Sequence, residues 1–419
     1  MKSFNRSQKS LIAVHMLKMI MDLFISTFLT SFILSQTPDS ILGQGLVNIG
    51  IFYLSWYVVY GIFEFICSFF VDKGNRLLFL RIAIFINTLL ILALVFWGEE
   101  ISHWLIPAGA ICGLVDAFYY SSYLVVRTEV AGDHSLDRFS MMITIFTNII
   151  KVVVPVILGY VIDASTLSSI AIYIVIISII QFIVSLFINV NKNLRSKFEF
   201  KKFLNYLKTN KKDSQKLKYT YLSSLPSGFR ATYNSLVVIL TVYIFTSNAI
   251  LGACTSIFAF LTIICLMLFK LADNNKKINK CLIYIILGFL PLASAIVASF
   301  LTNKITLIIL NFLLTLSTYF SDYLGNLERD AIIEDLHKEE FFAEHQVLNE
   351  EIQVFGKILA FAIYILVGLS ANFTLFLIML IAFMACNPFK FIVMYKQRLV
   401  RKDLERSCNS ILITNTKKD

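Results

Sequence analysis

LSSIAIYIVIISIIQFIVSLFINVNKNLRSKFEFKKFLNYLKTNKKDSQKLKY, residues 167–219, holds the two signals that decide the fold. Residues 167–189 carry no charged side chain. A run of about 20 apolar residues is what one helix needs to cross a bilayer. Residues 191–219 then bring ten basic side chains (Lys192, Arg195, Lys197, Lys201, Lys202, Lys208, Lys211, Lys212, Lys216 and Lys218) against Glu199 and Asp213. That stretch is too polar to span and too long for a tight turn. Within it Phe200, Phe203, Leu204 and Leu207 share one helical face, which suggests a basic amphipathic helix on the inner leaflet. A solvated linker is the plainer alternative.

Outward from this stretch the same alternation fills the chain. It has 419 residues, of which 58% are hydrophobic. Spans are expected at 11–35, 44–70, 77–97, 104–127, 140–162, 167–189, 220–246, 249–270, 281–301, 305–327, 350–370 and 373–395. The expected fold is an all-α membrane protein with 12 transmembrane helices in two pseudo-symmetric six-helix bundles. Residues 1–190 form the first bundle, 191–219 the basic linker, 220–396 the second bundle and 397–419 a basic tail. Lysines and arginines crowd every other gap, and the opposite gaps hold only Lys304. The positive-inside rule then puts both termini in the cytoplasm. The net charge of +10 is thus mainly a topology signal, with a second part in attraction to anionic lipid rather than nucleic acid. His15, Lys18 and Asp22 interrupt the first span, which reads as a retained helix and not a signal peptide.

The seven cysteines fall outside the expected outer loops and form no CxxC pair. A disulfide framework, a metal site and a cofactor are therefore not expected. The chain shows no GxxxxGK[ST] phosphate loop, no HExxH and no GxSxG, so neither a built-in ATPase nor an enzyme is expected.

The halves look like weak repeats. Tyr119-Tyr120-Ser121-Ser122-Tyr123-Leu124 parallels Tyr319-Phe320-Ser321-Asp322-Tyr323-Leu324, 200 residues on (319 − 119). Lys151 parallels Lys357, and Asp72-Lys73-Gly74-Asn75-Arg76 parallels Asp273-Asn274-Asn275-Lys276-Lys277. Parallel six-helix repeats are used by one large transporter fold. On these grounds the chain resembles the major facilitator superfamily along its whole length, with degraded motifs. The family's loop 2–3 signature, Gly-x-x-x-Asp-Arg-x-Gly-Arg-Arg, is met here by Ser68, Asp72, Lys73, Gly74 and Arg76, one residue short. The resemblance implies a gating role for Asp72, Lys73 and Arg76. Gly109 stands where many family exporters carry an arginine. Pro155 and Gly159 match part of the antiporter signature, which hints at export.

Ionisable groups deep in a bilayer cost at least about 2.5–3.5 kcal/mol on insertion scales, so they face a cavity or a partner. Asp22, Asp116 and Lys151 lie near span centres, and Arg230 lies roughly 15 Å into its span. Glu64, Asp322 and Lys357 lie nearer the cytoplasmic side. His15, Lys18, Asp22, Ser26 and Thr30 share one stripe of span 1; Asp116, Tyr120, Tyr123 and Arg127 one of span 4; Asn311, Thr315, Thr318 and Asp322 one of span 10. Span 7 adds Ser227, Arg230, Asn234 and Thr241. In the resembled family, spans 1, 4, 7 and 10 line the cavity.

Candidate proton carriers are Asp22, Asp116 and Asp322. Asp22 can also simply pair with Lys18, four residues earlier. Asp116 has no basic residue at three or four positions, so it needs a partner on another helix or a proton. Candidate substrate contacts are Lys151, Arg230, Lys357, Tyr119, Tyr120, Tyr123, Asn234 and Asn311. The lysines clamp an anion or neutralise Asp116 and Asp322. Glu64 joins Asp72, Lys73 and Arg76 as a gating candidate. Residues 328–351 hold nine acidic side chains and read as a Glu-rich helix able to dock on the basic linker.

The resemblance implies a secondary transporter working by alternating access, proton-coupled and exporting. The aromatics expected beside Lys151, Lys357 and Arg230 point to a small amphipathic or anionic organic substrate. A lipid-linked substrate flippase of the same fold is the alternative, and a membrane-integral enzyme or sensor a more distant one. A monomer in a bacterial plasma membrane, embedded in the lipid bilayer, is expected.

Overall fold

The computed structural model describes residues 4–37, 40–70, 76–131, 136–164, 167–190, 198–244, 248–273, 280–301, 303–335 and 341–415. Every long regular element among them is helical. The first six are α1 (Arg6–Ser35), α2 (Ile41–Phe70), α3 (Arg76–Trp97), α4 (Leu105–Ala131), α5 (Leu136–Asp163) and α6 (Leu167–Ser185). The short linker helix α7 (Phe200–Thr209) follows. Then come α8 (Lys211–Ala231), α9 (Tyr233–Ile244), α10 (Asn248–Asp273), α11 (Lys280–Phe300), α12 (Lys304–Asp335), α13 (Phe342–Ser370) and α14 (Phe373–Asn415). Ten helices among the described residues are long and apolar enough to cross a membrane. Two expected spans are not among the ten. One is α6, whose apolar stretch is shorter; the other is split into α8 and α9.

The local chemistry accounts for the helix ends. At the start of α1, Asn5 accepts the Gln8 backbone N–H at 2.8 Å, and Gln8 returns the contact to Asn5 at 3.0 Å. This capping box begins α1 five residues before the expected span. Splitting of the seventh span occurs at Thr232. Its hydroxyl donates back to the Phe229 carbonyl at 2.6 Å, and its own carbonyl accepts from Tyr364 at 3.2 Å. The same carbonyl also accepts the Leu236 backbone N–H at 3.1 Å, so α13 adds a second bond at the break, where buried backbone groups need partners. Residues 211–219, expected in the linker, are instead the polar first turns of α8. The acidic stretch expected as one helix is the end of α12 and the start of α13, and residues 336–340 lie outside the described residues. The expected tail is helical as far as Asn415.

Polarity is arranged inside out. On α6, Ile172, Ile176, Ile179 and Ile183 are exposed along one face, while Ser178, Gln181 and Ser185 are buried. Gln181 donates to the Val14 carbonyl at 2.9 Å, and the Ser178 and Thr88 hydroxyls meet at 2.6 Å. Apolar outside and hydrogen-bonded inside is the pattern that lipid imposes.

Helices before and after the linker meet along α2 with α13, α5 with α10, and the C-terminal part of α1 with α9. Glycines set two of the tightest approaches. A Cβ on Gly113 of α4 would lie 2.2 Å from the Trp56 carbonyl of α2. One on Gly252 of α10 would lie 2.1 Å from the Pro155 carbonyl of α5. Gly252→Val is therefore expected to destabilise by at least about 1–3 kcal/mol through overpacking. Thermal unfolding in detergent checks this, with the exposed Ile257→Val as an unchanged control.

Candidate functional site

The centre of the first six helices is built on a lysine. Lys18 sits on α1, one turn before Asp22, and its side chain is 3% exposed. Its ammonium donates to Asp22 and, at 2.8 Å, to Asp116 on α4. The Trp56 indole on α2 donates to the other oxygen of Asp116 at 3.0 Å, and the Tyr120 hydroxyl donates to Asp22 at 3.2 Å. Tyr119 and Tyr120 place their rings 5.5 and 5.7 Å from the ammonium. Toward the N-terminal end of α1, His15 stacks on Tyr123 at 4.4 Å and meets the Tyr119 hydroxyl at 3.3 Å.

Two carboxylates thus share one ammonium, and the triad carries one excess negative charge when all three are ionised. Hydrogen bonds from Trp56 and Tyr120 help offset the desolvation of this buried cluster. The aspartates keep some exposure, 22% for Asp22 and 14% for Asp116. Just past Asp22, Phe24–Leu29 widens into a π-helical turn, and from this turn onward α1 packs against α9. Such turns gather at functional sites.

A second set of charges lies where the two groups of helices meet. Lys357 on α13 stands 4.6 Å from the Tyr57 ring and 5.7 Å from that of Tyr60, both on α2. Lys151 on α5 stands 4.7 Å from the Tyr319 ring on α12. Each lysine therefore reaches across to a tyrosine from the other side of the linker, at cation–π range. The Tyr57 ring stacks on Trp56 at 6.0 Å, and Trp56 donates to Asp116, so the Lys357 contact is linked to the triad through these two rings. Stacked rings of Tyr53, Trp56, Tyr57 and Phe361 line the same junction.

The other sequence candidates have distinct places. Arg230 ends α8 and donates to the Thr318 carbonyl of α12 at 2.9 Å. Asn311 is buried and donates to Thr241 on α9 at 2.9 Å. Glu64 is buried on α2 near Glu350, Glu351 and Lys357 of α13. Arg76 opens α3 in an ion pair of 2.6 Å with Glu129 near the end of α4, each 5% exposed. Asp72 and Lys73 lie outside the described residues, as do the side chains of Asn234 and Asp322.

The structure brings together Asp22, Asp116, Tyr119, Tyr120 and Tyr123, and sets Lys357 over the Tyr57 and Tyr60 rings of α2. Sequence reasoning gave Lys18 no place among the site candidates, although it is the centre of the cluster. Trp56, Tyr57 and Glu129 were missed outright. The signal available for Lys18 was its position on the span 1 stripe. The aromatics carry none, since in an apolar helix a lipid-facing ring and an inward one look alike. Gly109, where the family arginine would stand, is explained by packing: a Cβ there would lie 2.2 Å from the Phe52 carbonyl.

A bundle of membrane-crossing helices with buried charges at an internal junction has the architecture of a membrane transporter. A family description, the Major Facilitator Superfamily, matches residues 17–322. The chain belongs to that superfamily. Among solved structures it is similar to a bacterial homologue of the iron transporter ferroportin in an inward-facing state. Identity there is 14% and the TM-score 0.63, covering 94% of this chain and 99% of that one. It is also similar to a bacterial metal transporter, at 12% identity and a TM-score of 0.56, covering 95% and 100%. At such identities the likeness concerns the fold. No curated protein matches the chain.

Proposed function

We propose that the chain is a proton-coupled secondary carrier of a small organic solute, amphipathic or anionic, and that it exports this solute by alternating access. In this reading it spans a bacterial plasma membrane twelve times as a monomer, α6 and the α8–α9 pair completing the set, with both termini in the cytoplasm. The observation that carries the reading is the Asp22–Lys18–Asp116 triad. With one carboxylate in excess, the triad can accept one proton without leaving Lys18 unpaired. Protonation of Asp22, the more exposed aspartate, would free Lys18 from one of its two anions and loosen α1 from its own ion pair. Asp116, held also by Trp56, would keep α1 and α4 together.

Lys357 and Lys151 support an anionic solute. Both lie against tyrosine rings at the junction, where a solute carboxylate or phosphate can replace the ring as partner. Export draws on the partial antiporter signature at Pro155 and Gly159. The fold neighbours raise a divalent metal as a second cargo. Among the described residues no three His, Cys, Asp or Glu side chains are placed to hold one. The aspartate pair is already bridged by an ammonium, so an organic ion fits the donor chemistry better.

The test is solute uptake into proteoliposomes with an imposed pH gradient, using organic anions, organic cations, neutral sugars and divalent metals. Proton-driven accumulation of an anion or amphipath is expected. Accumulation of a divalent metal alone would replace the organic reading with the metal one.

A further inference from the structure

Glu64 is a buried acid that the triad does not use. It lies on α2, 3% exposed, and its Oε2 has no hydrogen-bond partner. On its own helix the Tyr60 hydroxyl, one turn back, is within hydrogen-bond reach of the Glu64 carboxyl, and Cys67 flanks it on the other side. Across the seam, α13 presents Glu350, Glu351 and Lys357. From α4, Asp116 reaches Tyr60. From the linker, α7 touches Phe65 through Phe200, with Lys201 and Lys202 in the groove beside Phe65 and Phe69.

These neighbours do not neutralise Glu64. Lys357 is the one cation of α13 facing it, and it stands over the Tyr57 and Tyr60 rings. Glu350 already accepts from Gln346 at 3.0 Å. Glu351 is pressed into the seam: its Oε2 would be 3.4 Å from a Cβ on Gly61, and its Oε1 is buried without a hydrogen-bond partner. Two carboxyl groups, one on each side of the linker in sequence, therefore each have one oxygen shut from water and lacking a donor, even with Tyr60 beside Glu64. A buried carboxylate in that position is strongly unfavourable, and like charge beside it makes it more so.

We infer that Glu64 carries a proton while α2 and α13 are in contact, making this seam a second proton-binding site, apart from the triad and built from both groups of helices. The proton supplies what the seam lacks. It removes one charge facing Glu351 and turns Glu64 into a hydrogen-bond donor. Parting of α2 from α13 would let water reach Glu64 and take the proton away; closure requires it back. The inference rests on the alternating-access reading only for that last step, since the site itself is a property of the closed seam.

Infrared titration of the purified protein in lipid nanodiscs tests it, read at the carbonyl stretch of a protonated carboxylic acid and its shift in heavy water. Wild type should show at neutral pH such a band that is lost in Glu64→Gln and kept in Asp22→Asn. Glu351→Gln removes the opposing charge, so Glu64 should hold its proton about tenfold more weakly, one unit lower in pH. A band that survives Glu64→Gln, or a titration unmoved by Glu351→Gln, would overturn the proposal. The measurement needs no solute, so it stands even if every transport assay is negative. Conversely, a missing band beside intact proton-coupled uptake removes this site alone.

Discussion

Lys18→Met should destabilise the protein by about 3–5 kcal/mol, the usual consequence of removing one partner from a buried ion cluster. The ammonium is 3% exposed and holds two aspartates on different helices. Without it Asp22 and Asp116 face each other with only Trp56 and Tyr120 as donors. The triple replacement Lys18→Met/Asp22→Asn/Asp116→Asn leaves no charge in the cluster and should recover most of the loss, a non-additivity expected for one network. Unfolding midpoints in detergent give the comparison. A triple variant no more stable than Lys18→Met would show that the cluster is not held by its charges.

Lys357→Met should raise the KM for an organic anion by about 10–100-fold, which corresponds to losing a charged hydrogen bond of about 1.5–3 kcal/mol. Maximal rate should change far less, and transport of a neutral solute should not change. Lys357→Arg should retain part of the affinity, since the charge stays at the Tyr57 ring. An equal loss for charged and neutral solutes would make Lys357 a packing residue of the α2–α13 seam. The same comparison at Lys151 tests the second crossing contact, at Tyr319.

The legible part of this molecule was what local spacing carries. The apolar runs of α6 and α14 and the alternating basic gaps point to a membrane bundle before any contact is known. Lys18 and Asp22 are one turn apart, so their pairing could be read directly. For Asp116 the need for a partner on another helix was readable and the identity of that partner was not. It depends on how α1 and α4 pack, which glycines such as Gly113 help set through approaches no local pattern reveals.

Other features were hidden for the same kind of reason. Lys211–Tyr219 looks like linker because it is charged, yet a helix extended beyond the bilayer carries charge at little cost. The break at Thr232 has no strong local marker: Pro226 lies six residues earlier, and the Tyr364 hydroxyl that supports the break comes from α13. Arg230 and Asn311 were readable as buried polar groups. Their partners, the Thr318 carbonyl and the Thr241 hydroxyl, belong to α12 and α9 and had to be seen.

The decisive measurement is proton movement driven by the solute alone. Proteoliposomes with no imposed pH difference would be loaded with a transported anion and a pH dye, then diluted. Wild type should move protons as the solute leaves. Asp22→Asn should still exchange solute across the membrane while its proton signal falls to background. Solute flux without proton movement in wild type, or an unchanged proton signal in Asp22→Asn, would contradict the triad as the coupling element and leave Lys18, Asp22 and Asp116 as a structural cluster.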